Sequence, residues 1–355
     1  MGLTRDARVE AIRGFRYTER EARFLELVLR HGGVCVPRQF AAFAGVPNGD
    51  DKCNAFFAVK LLLRGRATCS DCVHNRARIY HVHYRRLYEA IDEPNSRYRR
   101  PVPARQAIER VMQLDAVLTT PSVEWFATPD EKVALIARST RAVVPPSDAN
   151  TSTAEPLAPA VPVGRSQGMF PVGHDAAGRV VLLYVAREPW TDAFRSWLQA
   201  HTPVLQAVST WTLRLVFPRP LDRAYSSYQQ VIRDELETPL RPVTIEQLRA
   251  SFDRRPPARS HGIERHLFTD APLDIFDTPR FRTVYRRWRQ AGERVFEPLV
   301  STVLADDLVN GSGRVEIHVL PYAYRHLIPV EGQRDPVLGP VEKGAETGDE
   351  TLARA

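Results

Sequence analysis

No apolar run in this 355-residue sequence approaches the roughly 20 residues needed to span a bilayer, which excludes a protein of transmembrane helices. Cysteine is scarce. Four in the whole chain cannot build a disulfide framework, and the reducing cytosol is the expected compartment. The opening stretch MGLTRDARVEAIRGFR carries charges where a secretory signal would need an apolar core, so a cytoplasmic location is expected. Several catalytic signatures are also missing: there is no Gly-rich phosphate loop, no Gly-x-Ser-x-Gly elbow and no His-Glu-x-x-His. No internal repeat is visible.

What is present has the balance of a globular chain, 43% hydrophobic and 26% charged. At roughly 150 residues per domain the length suggests about two domains. The charge is uneven. Residues 1–110 hold 21 Lys+Arg against 12 Asp+Glu, a net of +9, and since the whole chain is +7 the remainder carries about −2. A basic N-terminal third points to a polyanion, nucleic acid first. Nearly all of this charge is arginine, whose planar fork suits bidentate phosphate and guanine contacts.

The pattern along that third predicts a winged helix-turn-helix. Thr18-Glu19-Arg20-Glu21 forms a capping box, and Phe24, Leu25, Val28 and Leu29 recur at helical spacing until His31-Gly32-Gly33. Pro37 opens a short second helix, PRQFAAFA, that Gly45 ends. A third helix is expected from Asp51 to Arg64, with Phe56, Val59, Leu62 and Leu63 as its buried face. Two strand-like stretches, RATCSDCV and ARIYHVHY, complete a hairpin.

The rest is expected as a mixed α/β domain with a βαβ core. Residues 1–91 are read as the winged unit, 92–106 as a basic hinge, and 107–330 as the α/β domain. Within it, Val180–Val185 and Trp211–Phe217 read as buried strands flanking an amphipathic helix over 190–207. Helices are expected over 105–118, from Thr128-Pro129-Asp130-Glu131 onward, and over 222–237, 244–253 and 278–305. A strand pair is expected around 314–324. The Pro- and Ser-rich residues 143–166 read as a loose loop, and 331–355 as a disordered tail.

In a helix-turn-helix the third helix enters the major groove, so its polar residues are the candidate readers. Lys52, Asn54 and Asp51 lie near its start, with Lys60 and Arg64 nearer the backbone. If Val59 centres the buried face, Asn54 projects about 140° away from it and Lys60 about 100°. Asn54 is then the better base reader, with adenine its partner, and Lys60 a phosphate contact. Arg38 and Gln39 open the second helix, where backbone N–H groups can meet a phosphate. Arg76 and Arg78 sit at the hairpin tip. Cys69, Cys72 and His74, with His81 and His83, invite a zinc reading, but zinc wants two close pairs and only one is present. Ordinary strand residues are the favoured reading, and no metal or cofactor is expected. Asp175, Glu188 and Asp192 flank the central strand without the acidic-x-Lys spacing of a metal-dependent nuclease.

The order helix, PRQFAAFAG, helix, LLLRGRAT, RIYHVHYRRLYEAI resembles the winged-helix half of the plasmid replication-relaxation family. The stretch VLLYVAREPWTDAFRSWLQAHTPVLQ, followed by a strand ending VFPRP, is similar to that family's second half, which resembles a nuclease-like α/β fold. The likeness covers residues 18–90 and 170–220. Where family members often carry an acidic, Arg- and Thr-containing string, this chain has Ala186-Arg187-Glu188-Pro189. The resemblance implies a protein of a plasmid or integrated element that binds double-stranded DNA in replication, transfer or transcription control. The α/β domain would supply a protein partner or a homodimer contact. Two alternatives stay open: a divergent nuclease targeted by its winged helix, and a docking module without DNA binding.

Overall fold

The computed structural model describes residues 2–72, 77–141, 171–254, 276–324 and 327 of a mixed α/β chain. The expected loop at 143–166 and tail at 331–355 lie outside these residues. Among the described residues no helix is long and apolar enough to cross a membrane.

The chain opens with α1 (Arg5–Arg13) and α2 (Glu19–His31), the latter started by the expected capping box between Thr18 and Glu21. A short strand β1 (Val34–Cys35) leads to α3 (Pro37–Ala44), which Gly45 ends in a left-handed conformation at φ +65°. Then comes α4 (Asp51–Ala55), capped by Asp50 and continued without a break by a π-helical stretch (Phe56–Leu63). Strands β2 (Ala67–Asp71) and β3 (Arg78–Val82) pair antiparallel, and β1 adds to the far side of β3. Aromatic rings fill the core beneath, with Phe40 and Phe56 stacked at 4.5 Å and Phe24 edge-on to both.

Residues 92–106 are not a hinge. After α5 (Arg85–Ala90), Glu93 turns back to Arg30, and His81 Nε2 donates to the Tyr98 carbonyl at 2.8 Å. Gly33, at φ +68°, passes so close that an added Cβ would lie 2.5 Å from that same carbonyl. Three arginines of this stretch have partners: Arg97 donates to the Tyr98 hydroxyl, Arg99 to the Pro94 carbonyl, and Arg105 pairs with Glu188.

Helix α6 (Ala104–Leu118) is the common wall of the two units. One side meets α2, α3 and β1, where Gln39 Nε2 donates to the Val111 carbonyl and Arg110 to the Gly32 carbonyl. The other side meets a five-stranded sheet. A single apolar cluster therefore joins Val34, Val36 and Ile79 to Val111, Val181, Leu183 and Leu320.

That sheet runs in the order β4 (Val123–Phe126), β5 (Val172–Asp175), β6 (Val180–Val185), β7 (Trp211–Pro218), β8 (Gly313–Leu320). The first three strands are antiparallel and the last three parallel. Helix α7 (Pro129–Arg138), with its expected capping box, follows β4. The βαβ unit is present as β6, α8 (Asp192–Ala207) and β7. Side chains of β6 alternate, so Val181, Leu183 and Val185 face α6 while Val180, Leu182 and Tyr184 face α8 and α9 (Tyr225–Ile232). Helices α10 (Pro242–Arg254), α11 (Pro279–Ala291) and α12 (Glu297–Val300) bury a cluster of their own around Phe252 and Phe296. After α13 (Val303–Asn310) the expected strand pair is one strand, β8, because all eight of its residues pair with β7.

Asp115 on α6 accepts from both Arg38 Nη atoms, at 2.8 and 2.7 Å, and from the Tyr324 hydroxyl at 2.6 Å. Removing the carboxylate leaves a guanidinium and a phenol without their anion. Asp115→Ala is expected to cost about 3–5 kcal/mol in urea unfolding, and Arg38→Met with Asp115→Leu much less. A loss under about 1 kcal/mol for Asp115→Ala would show the contact to be incidental.

Candidate nucleic-acid interface

Asp50 fixes the start of α4 by accepting from the Lys52 backbone N–H at 2.8 Å, which leaves the polar first turn facing solvent. Lys52 and Asn54 are both exposed there. Asn54 Nδ2 donates to the Gly49 carbonyl at 2.9 Å, a local bond on an open surface. Across a groove of about 680 Å³ stand Arg78 and Tyr80 of β3. Arg78 is half exposed and pairs with Asp71 across the hairpin at 3.0 Å. Arg64 is exposed, and neither it nor Lys52 meets a carboxylate among the described residues. Arg76 and His74 lie outside those residues.

Three expected contacts are corrected. Gln39 is buried, its Oε1 accepting from the Val36 N–H at 3.0 Å, so it caps α3 rather than facing a phosphate. Arg38 is held by Asp115 and lies 3.7 Å over the Tyr322 ring. Lys60 Nζ is 2.6 Å from Glu21, the carboxylate that also caps α2. Each basic or amide group was drawn inward by a buried acceptor supplied by another element.

The buried face of the third helix also differs from expectation. It consists of Cys53, Phe56, Phe57 and Leu61, while Val59 is 45% and Leu63 80% exposed. A π-helix closes its bonds five residues on, so each turn takes up more chain than the 3.6 residues assumed and the inward set slips. Asn54 stays outward under either geometry, whereas Lys52, which an α-helical wheel centred on Val59 puts within about 20° of the buried side, is exposed. A middle stretch of Ala55, Ala58 and Val59 joins them on the surface.

The cysteines do not converge. Cys69 packs toward the N-terminal core and Cys72 into the cluster shared with the sheet, and burial pushes both thiols up. Among the described residues no three His, Cys, Asp or Glu side chains gather as metal ligands. Asp175 instead closes a turn by accepting from the Ala177 and Arg179 N–H groups. Glu188 pairs with Arg105, and Asp192 sits in the first turn of α8.

The charge balance missed one basic surface altogether. Arg282, Arg286 and Arg289 lie exposed along α11 at spacings of four and three, in a half of the chain with net negative charge. Comparison with family models, with curated proteins and with solved structures finds no match to this chain.

Because Lys60 serves the helix cap, Lys60→Met is expected to lower unfolding free energy by roughly 1 kcal/mol. It should leave the salt dependence of any duplex binding unchanged. A salt slope flattened by about one unit would restore Lys60 as a phosphate contact.

Proposed function

We propose that the chain binds double-stranded DNA through a winged helix-turn-helix, with α3 and α4 as its two helices and the β2–β3 hairpin as its wing. The carrying observation is that the start of α4 is open and polar, and that Asn54 and the hairpin's Arg78 line one groove, with Arg38 and Leu327 also in its wall. An α-helix end of this width fits a major groove. Asn54 would exchange its Gly49 bond for adenine, and the small apolar residues Ala55 and Ala58 suit thymine methyl groups. Lys52, Arg64 and Arg78 are the phosphate contacts of this reading. Arg38, Gln39 and Lys60 drop out of it. The resemblance to plasmid replication-relaxation proteins extends the proposal to replication, transfer or transcription control of a mobile element in the cytoplasm. The five-stranded unit would hold a protein partner or a second copy.

The exposed Val59 and Leu63 favour a second reading, in which the same helix docks a protein. Fluorescence anisotropy on the full chain separates the two. For DNA binding, log affinity falls with log salt at about −0.9 per phosphate contact. Arg64→Ala is expected to flatten that slope by about one unit, and Asn54→Ala to cost roughly 1–3 kcal/mol on a selected site with little change on random duplex. Salt-independent binding, or a selected site that Asn54→Ala holds as tightly as the parent does, would sink the DNA reading. Strand cleavage with Mg²⁺ or Mn²⁺ would revive the nuclease alternative.

A further inference from the structure

The five-stranded sheet ends in β4 on one side and β8 on the other, and the two edges are unlike. β4 has four residues, and shortness is a common way of blunting an edge. β8 has eight, with neither glycine nor proline after Gly313. Its bonds to β7 fix which of its groups point outward. The Trp211 N–H donates to the Ser312 carbonyl at 3.0 Å, while Trp211 lies opposite Gly313 in the ladder. In a parallel pair that register commits the even-numbered residues of β8 to β7. The N–H and C=O groups of Val315, Ile317 and Val319 therefore point away from β7. Among the described residues no backbone group bonds to them.

The side chains of the same three residues are apolar. Val315 packs on the cluster beneath α8 and α9, and alternation puts Ile317 and Val319 on that face. Ile317 is 36% and Val319 51% exposed, beside a strand β7 in which every residue is buried. A long apolar edge with a free row of donors and acceptors is a template for another strand.

A second copy of β8 fits that template in one register. Two-fold antiparallel pairing must set odd residues opposite odd ones, since only these carry free groups. An axis at Glu316 would bring two like carboxylates face to face. An axis at His318 or Val319 would set Pro321, which has no N–H, opposite Val315 or Ile317. An axis at Arg314 or Val315 would leave Val319 opposite residues before the strand begins. With the axis at Ile317, that residue meets its own copy, Val315 meets Val319 and Glu316 meets His318. Each pairing of odd residues then exchanges two N–H···O bonds.

We propose that two copies of the chain pair antiparallel along β8, about a two-fold axis at Ile317, joining their sheets into one. The inference rests on the reading of the five-stranded unit as a contact unit, and commits that unit to a second copy and to one edge.

Sedimentation velocity on the full chain without DNA is expected to show a dimer. Val319→Lys changes an exposed side chain, so each copy still folds, and a lysine on the edge should weaken the dimer at least tenfold. Mild oxidation of Ile317→Cys should link the copies beyond the background of the parent, whose own thiols are mostly buried. Residues paired in this way have Cα atoms about 5.5 Å apart, within reach of a disulfide. Arg314→Cys should not link, because it sits opposite Leu320 of the other copy, roughly 20 Å along the strand from its own counterpart. A monomer at the highest soluble concentration would overturn the second copy as occupant and leave a different partner for the unit. A dimer untouched by Val319→Lys would overturn this edge while keeping the homodimer. A dimer that links at Arg314→Cys, or fails to link at Ile317→Cys, would overturn this register.

Discussion

Everything in this molecule turns on one helix that has no exposed side to spare. α6 is flanked by the N-terminal unit on one face and the five-stranded sheet on the other, and Asp115 near its end binds a guanidinium from α3 and a phenol from beyond β8. Burying a carboxylate is unfavourable unless its lone pairs are filled, and here three short hydrogen bonds fill them. The geometry of both units relative to α6 is set by that requirement.

The consequence reaches the candidate DNA surface. α3 is fixed to α6 through Arg38 and Gln39, so its partner α4 is held at a defined angle and its free end is presented outward. The residues that would have been read as contacts are the ones that fix the scaffold. Lys52, Asn54 and Arg64 are available because nothing buried competes for them.

Much of the fold was legible. The capping boxes at Thr18 and Thr128, the βαβ unit and the β2–β3 hairpin all follow from local patterns, because caps and apolar runs are decided within a few residues. The strands β1, β4 and β5 left no such trace, being two to four residues long and defined by distant partners. The roles of Arg38, Gln39 and Lys60 were hidden for a related reason: their acceptors, Asp115, Val111 and Glu21, lie 39 to 77 residues away. The outward face of α4 was misjudged at Val59 and Leu63, since a π-helical stretch carries no sequence mark that an α-helical wheel would register. Net charge could not see α11, where arginines face one way while the acidic residues that cancel them lie elsewhere.

Tyr324 and Asp115 are 209 residues apart, which gives the clamp around α6 a meaning during synthesis. At roughly 5–20 residues per second, about 10 to 40 seconds separate the emergence of Asp115 from that of its last partner. Through that interval the far side of α6 awaits the sheet residues Val181, Leu183 and Leu320 that pack in the same apolar cluster. The clamp closes only once the final strand has seated beside β7 and Tyr324 reaches Asp115.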